Sequence, residues 1–250
     1  MAGIKPYKIG VVIPTYCERE NIIQLLDSLR NTLESSGYRY HILVVDDNSP
    51  DGTAEAVREY GNRVRGVEVV VRPGKMGLGS AIRDGMRRLL GDSEITHIVT
   101  MDADFSHNPG EMPRLLSKAG DSDLVIGSRY VRGGKALNWG FHRRLISWGA
   151  NTLIRLLYRT GVKDHTSNYR VYSRRAVEDI VKLSRENGYE WVIEALLILH
   201  ARGYRIAEVP ITFTNRKAGR SKLGLRDILA WLFFMLKYRE RYKRLKRENL

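Results

Sequence analysis

Two aspartates stand one residue apart in HIVTMDADFSHNP, Asp102 and Asp104, at the end of an apolar, β-branched run. Asn108-Pro109 turns the chain away directly afterwards. Carboxylates crowded in this way repel one another unless a cation or several N–H donors neutralise them. A hard divalent ion, Mg²⁺ or Mn²⁺, held by one or two carboxylates and completed by phosphate oxygens, is the chemistry that suits the pattern. Other strand-like runs also end on polar groups. Pro14-Thr15-Tyr16-Cys17-Glu18 follows the first, Asp46-Asp47 the second and Gly127-Ser128-Arg129 the fifth. Taken singly, Asp46, Asp47 and Asp51 are ordinary turn formers or helix caps. Gathered on one edge, the acidic tips read as a platform for a metal and a diphosphate. Asp104 would then hold the metal, and Asp102 would accept a hydrogen bond from a ribose or sugar hydroxyl.

The elements that must position these groups alternate. KIGVVIP, YHILVVDD, VEVVVRP, THIVTMDAD and SDLVIGSR are short β-branched runs of the kind found in buried parallel strands. Helical patterns lie between them. Ile22, Leu25, Leu26, Leu29 and Leu33 recur at helical spacing and Gly37 supplies a stop. Further helices are expected from near Asp51, Leu78 and Pro109. The alternation predicts an α/β fold, a mostly parallel sheet covered on both faces, with ligands at the carboxyl ends of the strands. The second half is less regular. A helix is expected over Arg143–Tyr158, a strand in NYRVYS, helices over Ala176–Lys182 and Trp191–Ala201, and strand in YRIAEVPITF.

Composition sets the bounds. The 250 residues are 43% hydrophobic, enough for one α/β domain or two small ones. Lys and Arg outnumber Asp and Glu by 42 to 28, and this surplus favours polyanionic partners. Cys17 is the sole cysteine, so a reducing, cytoplasmic setting is expected. The apolar run in MAGIKPYKIGVVIP is too short for a signal peptide, and no segment reaches the ~20 apolar residues of a spanning helix. A soluble protein, or one peripheral to a membrane, is expected.

VVIPTYCERENI, VVDDNSPDGT, RPGKMGLGSAIRDGM, MDADFSHNP, VIGSRYVRGG, RRLISWGAN, EVPITF and NRKAGRSKLG occur in this order. Together they resemble the family-2 glycosyltransferases and, within them, the dolichyl-phosphate mannose synthases, over about residues 8–225. The resemblance implies an A-type glycosyltransferase (Rossmann-like) fold in a catalytic domain over 1–225. A nucleotide-sugar-binding half would cover about 8–130, and an acceptor half with a donor-closing loop about 131–225. Residues 226–250 would form a basic amphipathic helix. The implied reaction carries mannose from GDP-mannose to a polyprenyl (dolichyl) phosphate with inversion, assisted by Mg²⁺ or Mn²⁺. Position by position, Pro14, Tyr16, Glu18, Val45 and Asp47 would line the guanosine pocket. Asp102, Ala103 and Asp104 would contact ribose, diphosphate and metal, with Ser106 as a further metal contact where some members carry an amide. Arg129, Arg216 and Lys222 would bind the donor's phosphates, the last two from a loop bracketed by Gly219 and Gly224. The resemblance leaves open a polyprenyl-phosphate glucose synthase using UDP-glucose.

The acceptor sets the mechanism. A phosphate monoester is already ionised, with a second pKa near ~6, so it needs positioning and no general base. His107, Glu190 and Glu194 are accordingly left without that role. Arg143, Arg144 and Ser147, with Arg129, form a clasp for the acceptor phosphate. Trp231, Met235, Tyr238, Tyr242 and Leu245 make a stripe on a basic C-terminal helix. That helix is expected to lie on the cytosolic face of an acidic membrane, with docking on the protein's own core as the alternative; a membrane partner subunit is a second route to attachment. Other readings fit less well. A haloacid-dehalogenase-type phosphatase would leave the earlier strand tips without a task. GLGSAI lacks the third glycine of a dinucleotide fingerprint. Acidic tips and the lack of a recognition motif argue against nucleic acid as partner.

Overall fold

The computed structural model describes residues 7–215 and 225–248, with side chains for 7–215 and 234–248. Arg216, Lys222 and the side chain of Trp231 lie outside the described residues. The strands are β1 (Lys8–Thr15), β2 (Arg39–Asp46), β3 (Val67–Val71), β4 (Ile95–Thr100), β5 (Leu124–Ser128), β6 (Lys135–Leu137), β7 (Arg170–Ser173), β8 (Ile206–Pro210) and β9 (Thr212–Thr214). The helices are α1 (Ile22–Ser35), α2 (Thr53–Arg63), α3 (Leu78–Leu90), α4 (Met112–Leu116), α5 (Phe141–Tyr158), α6 (Arg174–Leu183), α7 (Glu190–Ala201) and α8 (Leu225–Arg247).

Seven strands form one sheet in the order β3-β2-β1-β4-β7-β5-β8, and β6 pairs with β9 in a small second sheet. All pairings in the large sheet are parallel except those of β7, which runs antiparallel to β4 and β5. β7 comes from the less regular second half, yet it lies between two strands of the first, so both halves share one sheet. Alternation along the strands builds two cores. Val12, Leu43, Val45 and Ile98 face α3, α6 and α7. Val11, Ile13, Val44 and Val99 face α1 and α4, where Leu25, Leu26 and Leu29 fill the other core. The carboxyl ends of β1, β2 and β4 therefore open on one edge.

Helix α7 is buried on nearly every side, from Trp191 to Leu199. A helix apolar all round needs cover away from the sheet as well. Helix α8 supplies it: Met235, Tyr238, Tyr242 and Leu245 are buried in the same core as α7. The hydroxyl of Tyr158 donates to the Met235 carbonyl at 2.5 Å, and that of Tyr242 to the Tyr158 carbonyl at 3.2 Å. The described part of the stripe expected on a membrane, Met235 to Leu245, is thus docked on the protein itself, where it covers the apolar face of α7. One carboxylate is trapped there. Glu194 is fully buried and accepts from the Arg185 and Glu186 N–H groups at 2.9 and 2.8 Å and from Arg241 of α8 at 2.5 Å.

The segment leading into β7 is pinned from below. Arg170, fully buried, donates to the carbonyls of Ser167, His165 and Val192 at 2.7, 2.8 and 2.5 Å. His165 packs beside it, its main-chain N–H donating to Asn151 Oδ1 at 2.7 Å. Burial first, then the Arg170 charge, push the His165 imidazole down to about 3.

Two outcomes are expected. Arg241→Met leaves the buried Glu194 carboxylate without its cationic partner and should cost about 3–5 kcal/mol in urea unfolding; adding Glu194→Gln should restore part of it. Acid should also weaken the fold. The unfolded chain takes up a proton near 6.5 that native His165 refuses, so stability is intact above that pH and falls below it. The slope should approach about 1.4 kcal/mol per pH unit, and His165→Gln should flatten the profile of urea midpoint against pH.

Candidate active site

The acidic edge is built from three strand tips, those of β1, β2 and β4, each carboxylate answered differently. Asp46 is fully buried. It accepts from Thr15 Oγ1 at 2.7 Å, Ser49 Oγ at 2.6 Å and the Ser49 N–H at 2.8 Å, so both oxygens serve the turn after β2. Asp47 accepts from Nε of the buried Arg72 at 2.6 Å and from the Met76 N–H at 3.2 Å. Arg72 also reaches Ser80 Oγ at 2.7 Å and Asp84 at 3.2 Å, joining the end of β3 to the start of α3. Beside this group Lys75 Nζ lies 4.5 Å from the exposed ring of Tyr16. Glu18 accepts from Asn21 Nδ2 at 2.9 Å. Pro14 is half-buried, while the Val45 side chain is sealed in the core beneath α3. Only the Val45 main chain can meet a ligand.

The glycines of GLG have a packing duty here. A Cβ on Gly77 would collide with the Asn187 carbonyl, and one on Gly79 with Trp191. Gly77 also holds φ +99, a conformation that glycine adopts without penalty. The start of α3 is thereby pressed against the 184–189 loop.

Asp102 and Asp104 follow β4. The main-chain N–H of Asp102 donates to Nδ1 of His107 at 3.2 Å, and Asn168 Nδ2 donates to Asp102 Oδ1 at 2.9 Å. The Ser106 N–H donates to Asp104 Oδ1 at 3.0 Å, after Phe105 turns the chain with φ +58. Burial lowers the pKa of the enclosed His107, which is neutral and uses Nδ1 as an acceptor. Ala103 is buried between the carboxylates. The hydroxyl of Ser106 and Oδ1 of Asn168 are buried without a hydrogen-bond partner. Among the described residues no third acidic, histidine or cysteine side chain completes a metal cluster with these two. Two hard carboxylates with orphaned neutral oxygens beside them fit Mg²⁺ or Mn²⁺, which keep several waters and take the remaining ligands from substrate phosphates.

Arg129, at the end of β5, is buried and doubly bonded to Asp164, Nε to Oδ2 at 2.8 Å and Nη2 to Oδ1 at 2.6 Å. Nη2 also donates to Thr166 Oγ1 at 2.6 Å. Burial alone would raise the Asp164 carboxyl, but the Arg129 charge and N–H donors hold it below the usual carboxylate range. The Arg129 guanidinium lies 5.1 Å from the Trp139 ring and that of Arg143 4.4 Å from the same ring. His107, Phe213 and Trp139 follow in edge contacts, at 5.4 Å and 5.5 Å between ring centres. These rings join the aspartates to the arginines, and Asp102 and Arg129 feel each other's charge. Arg143 further donates to Asn215 Oδ1 at 2.7 Å. Ser147 Oγ accepts from the Tyr130 hydroxyl at 2.7 Å, and Arg144 is exposed, 3.4 Å from the Ala136 carbonyl.

The structure thus gathers Asp102, Ala103, Asp104, Ser106, Arg129, Arg143 and Ser147 around one aromatic cluster. Tyr16, Glu18 and Asp47 lie along the same edge, across β1. Asp164, Thr166, Asn168 and Arg72 went unnoticed in the sequence. The polar run DHTSN before a strand was the available signal for the first three. Glu194 is spoken for by Arg241, far from a proton-transfer role.

Three comparisons bear on this arrangement. The profile described as "Glycosyl transferase family 2" matches residues 10–181. The chain is 38% identical over 228 residues to the dolichol-phosphate mannosyltransferase of Pyrococcus furiosus, covering 90% of this chain and 62% of that one. It is 38% identical over 218 residues to the undecaprenyl-phosphate mannosyltransferase of Micrococcus luteus, covering 87% and 88%. The fold resembles glucosyl-3-phosphoglycerate synthase of Mycobacterium tuberculosis, solved with Mn²⁺, UDP and phosphoglyceric acid. The TM-score is 0.67 at 22% identity, covering 93% of this chain and 78% of that one. A mostly parallel sheet with helices on both faces is the shared architecture. With its sequence profile and fold in agreement, the chain belongs to glycosyl transferase family 2.

Proposed function

We propose that the protein transfers mannose from GDP-mannose to a polyprenyl phosphate, with inversion at the anomeric carbon. The observation that carries this reading is the meeting, within one aromatic cluster, of an acidic strand tip and buried or half-buried arginines beside an exposed apolar helix. The two mannosyltransferase relatives, each named for a polyprenyl-type phosphate acceptor, support it.

In this reading Asp102 and Asp104, with Ser106, hold Mg²⁺ or Mn²⁺, which when bound offsets charge on the departing diphosphate. Pro14, Tyr16, Glu18, Asp47 and the Val45 main chain enclose the base, and Ala103 adjoins the ribose. Arg129 keeps two of its nitrogens on Asp164 and turns the rest of its fork towards phosphate. Arg143, Arg144 and Ser147 take the acceptor phosphate, and Arg216 and Lys222 close on the donor. No proton acceptor is needed, because the attacking phosphate oxygen is already ionised. This agrees with the state of His107, whose Nδ1 lone pair is engaged by Asp102. Positioning and charge then supply the rate.

A lipid acceptor calls for an apolar surface beside the clasp. On α5, which carries Arg143, Arg144 and Ser147, Phe141 is 74% exposed, Trp148 58% and Leu145 53%. Lys243, Arg244, Lys246 and Arg247 of α8 are exposed as well and suit anionic headgroups at a cytosolic membrane face. Among the described residues no helix is long and apolar enough to cross a membrane. Attachment is therefore assigned to the apolar face of α5, with charge from α8, in place of the α8 stripe.

Two experiments test the reading. With polyprenyl phosphate and Mn²⁺, GDP-mannose should yield GDP and a mannosyl lipid, and Asp104→Ala should reduce turnover by ~10³-fold or more with an unchanged melting temperature. UDP released from UDP-glucose with a glucosyl lipid would overturn the donor assignment. Trp148→Asp with Phe141→Asp should lower cosedimentation with phosphatidylglycerol vesicles severalfold; unchanged binding would remove α5 from the membrane surface.

A further inference from the structure

Asp102 and Arg129 follow the ends of different strands, β4 and β5, yet one short stretch, 164–168, holds both. Asp164 takes the guanidinium of Arg129. Asn168 gives its amide to Asp102 Oδ1 at 2.9 Å, across 66 positions of sequence. Its backbone is fixed in turn, because Thr100 Oγ1 donates to the Asn168 carbonyl at 2.7 Å and Arg170 holds the carbonyls of His165 and Ser167 just before it. The remaining oxygen of the Asn168 side chain is buried without a partner. An unsatisfied buried acceptor works against folding, so stability gives no reason for an amide here. Its donor does.

The carboxylates around the edge show what that donor achieves. Asp47 is neutralised by Arg72, and Asp164 by Arg129. Asp102 instead receives a neutral N–H, and among the described residues no arginine pairs with its carboxylate, whose side chain is 30% exposed. Oδ1 belongs to Asn168, and the Asp102 main chain to His107. Oδ2 is the oxygen left for a ligand.

We infer that Asn168 is a positioning residue for the donor site. It commits one oxygen of Asp102 to the protein through a neutral donor and reserves the other for a divalent cation carrying a nucleoside diphosphate. The inference rests on the proposed donor reading. Outer partners of metal ligands commonly govern affinity by 10–100-fold (roughly) when removed.

The test is Mn²⁺ binding, followed by the electron paramagnetic resonance of the free ion, with GDP and in parallel with UDP. Asn168→Ala, and Asn168→Leu as a variant of similar shape without hydrogen bonds, should raise the Mn²⁺ dissociation constant about tenfold or more. Nucleotide affinity without metal should stay as in the unaltered protein. In an Asp102→Ala background the same changes should have no further effect, since Asn168 acts through that carboxylate. Unaltered Mn²⁺ affinity in a folded Asn168 variant overturns the inference, as does an equal loss in the Asp102→Ala background. If the unaltered protein binds no Mn²⁺ with either nucleotide, the donor-site reading itself falls, and this inference with it.

Discussion

Negative charge gathered at the carboxyl edge of a buried sheet has to be answered, and the kind of answer decides what each carboxylate can do. Hydroxyls and an N–H use up both oxygens of Asp46, leaving it a part of the turn. A guanidinium neutralises Asp47 and ties the ends of β2 and β3 to α3. The Asp102 carboxylate accepts from the neutral amide of Asn168, and among the described residues no arginine pairs with it. The same logic runs through the arginines. Asp164 fixes the direction of Arg129 while leaving it beside Trp139 and within the field of Asp102. The proposed metal-assisted transfer would need opposed charges held apart until substrate enters, and each of these poles is held by its own partner.

Those partners come from a segment that must itself be rigid. Stretch 164–168 carries no regular structure, and its order comes from Arg170, whose donors meet carbonyls in the interior. β7 completes the anchoring by running antiparallel between β4 and β5, which brings the stretch to the tips of both. On the opposite core, α8 closes the exposed side of α7. Glu194 then links Arg241 to the 184–189 loop, which packs against the start of α3 through Ser80 and Arg83. The C-terminal helix is therefore joined by successive contacts to the edge on which Asp47 lies.

Much of this was legible. The apolar stripe of α1 and the strand runs of β1, β2 and β4 stand where their spacing placed them, because helix and strand periodicities are local properties of the chain. NYRVYS was legible as a strand, but its antiparallel insertion was not, since nothing within four residues encodes a neighbour 70 positions away. The stripe on α8 was legible as amphipathic, while its destination was ambiguous. Lipid and a protein core attract the same side chains, and the burial of Tyr238 and Tyr242 decided between them.

By itself the sequence determined the alternation of strands and helices, the acidic pair after the fourth strand, and the motifs that carry the family resemblance. Each depends on residue type and near-neighbour spacing. Only the tertiary structure decided which charges are paired: Arg129 with Asp164, Arg72 with Asp47, Arg241 with Glu194, and Asn168 beneath Asp102. Pairing is a property of distance in space, and these partners, separated by 25 to 66 positions, meet only after the sheet has formed.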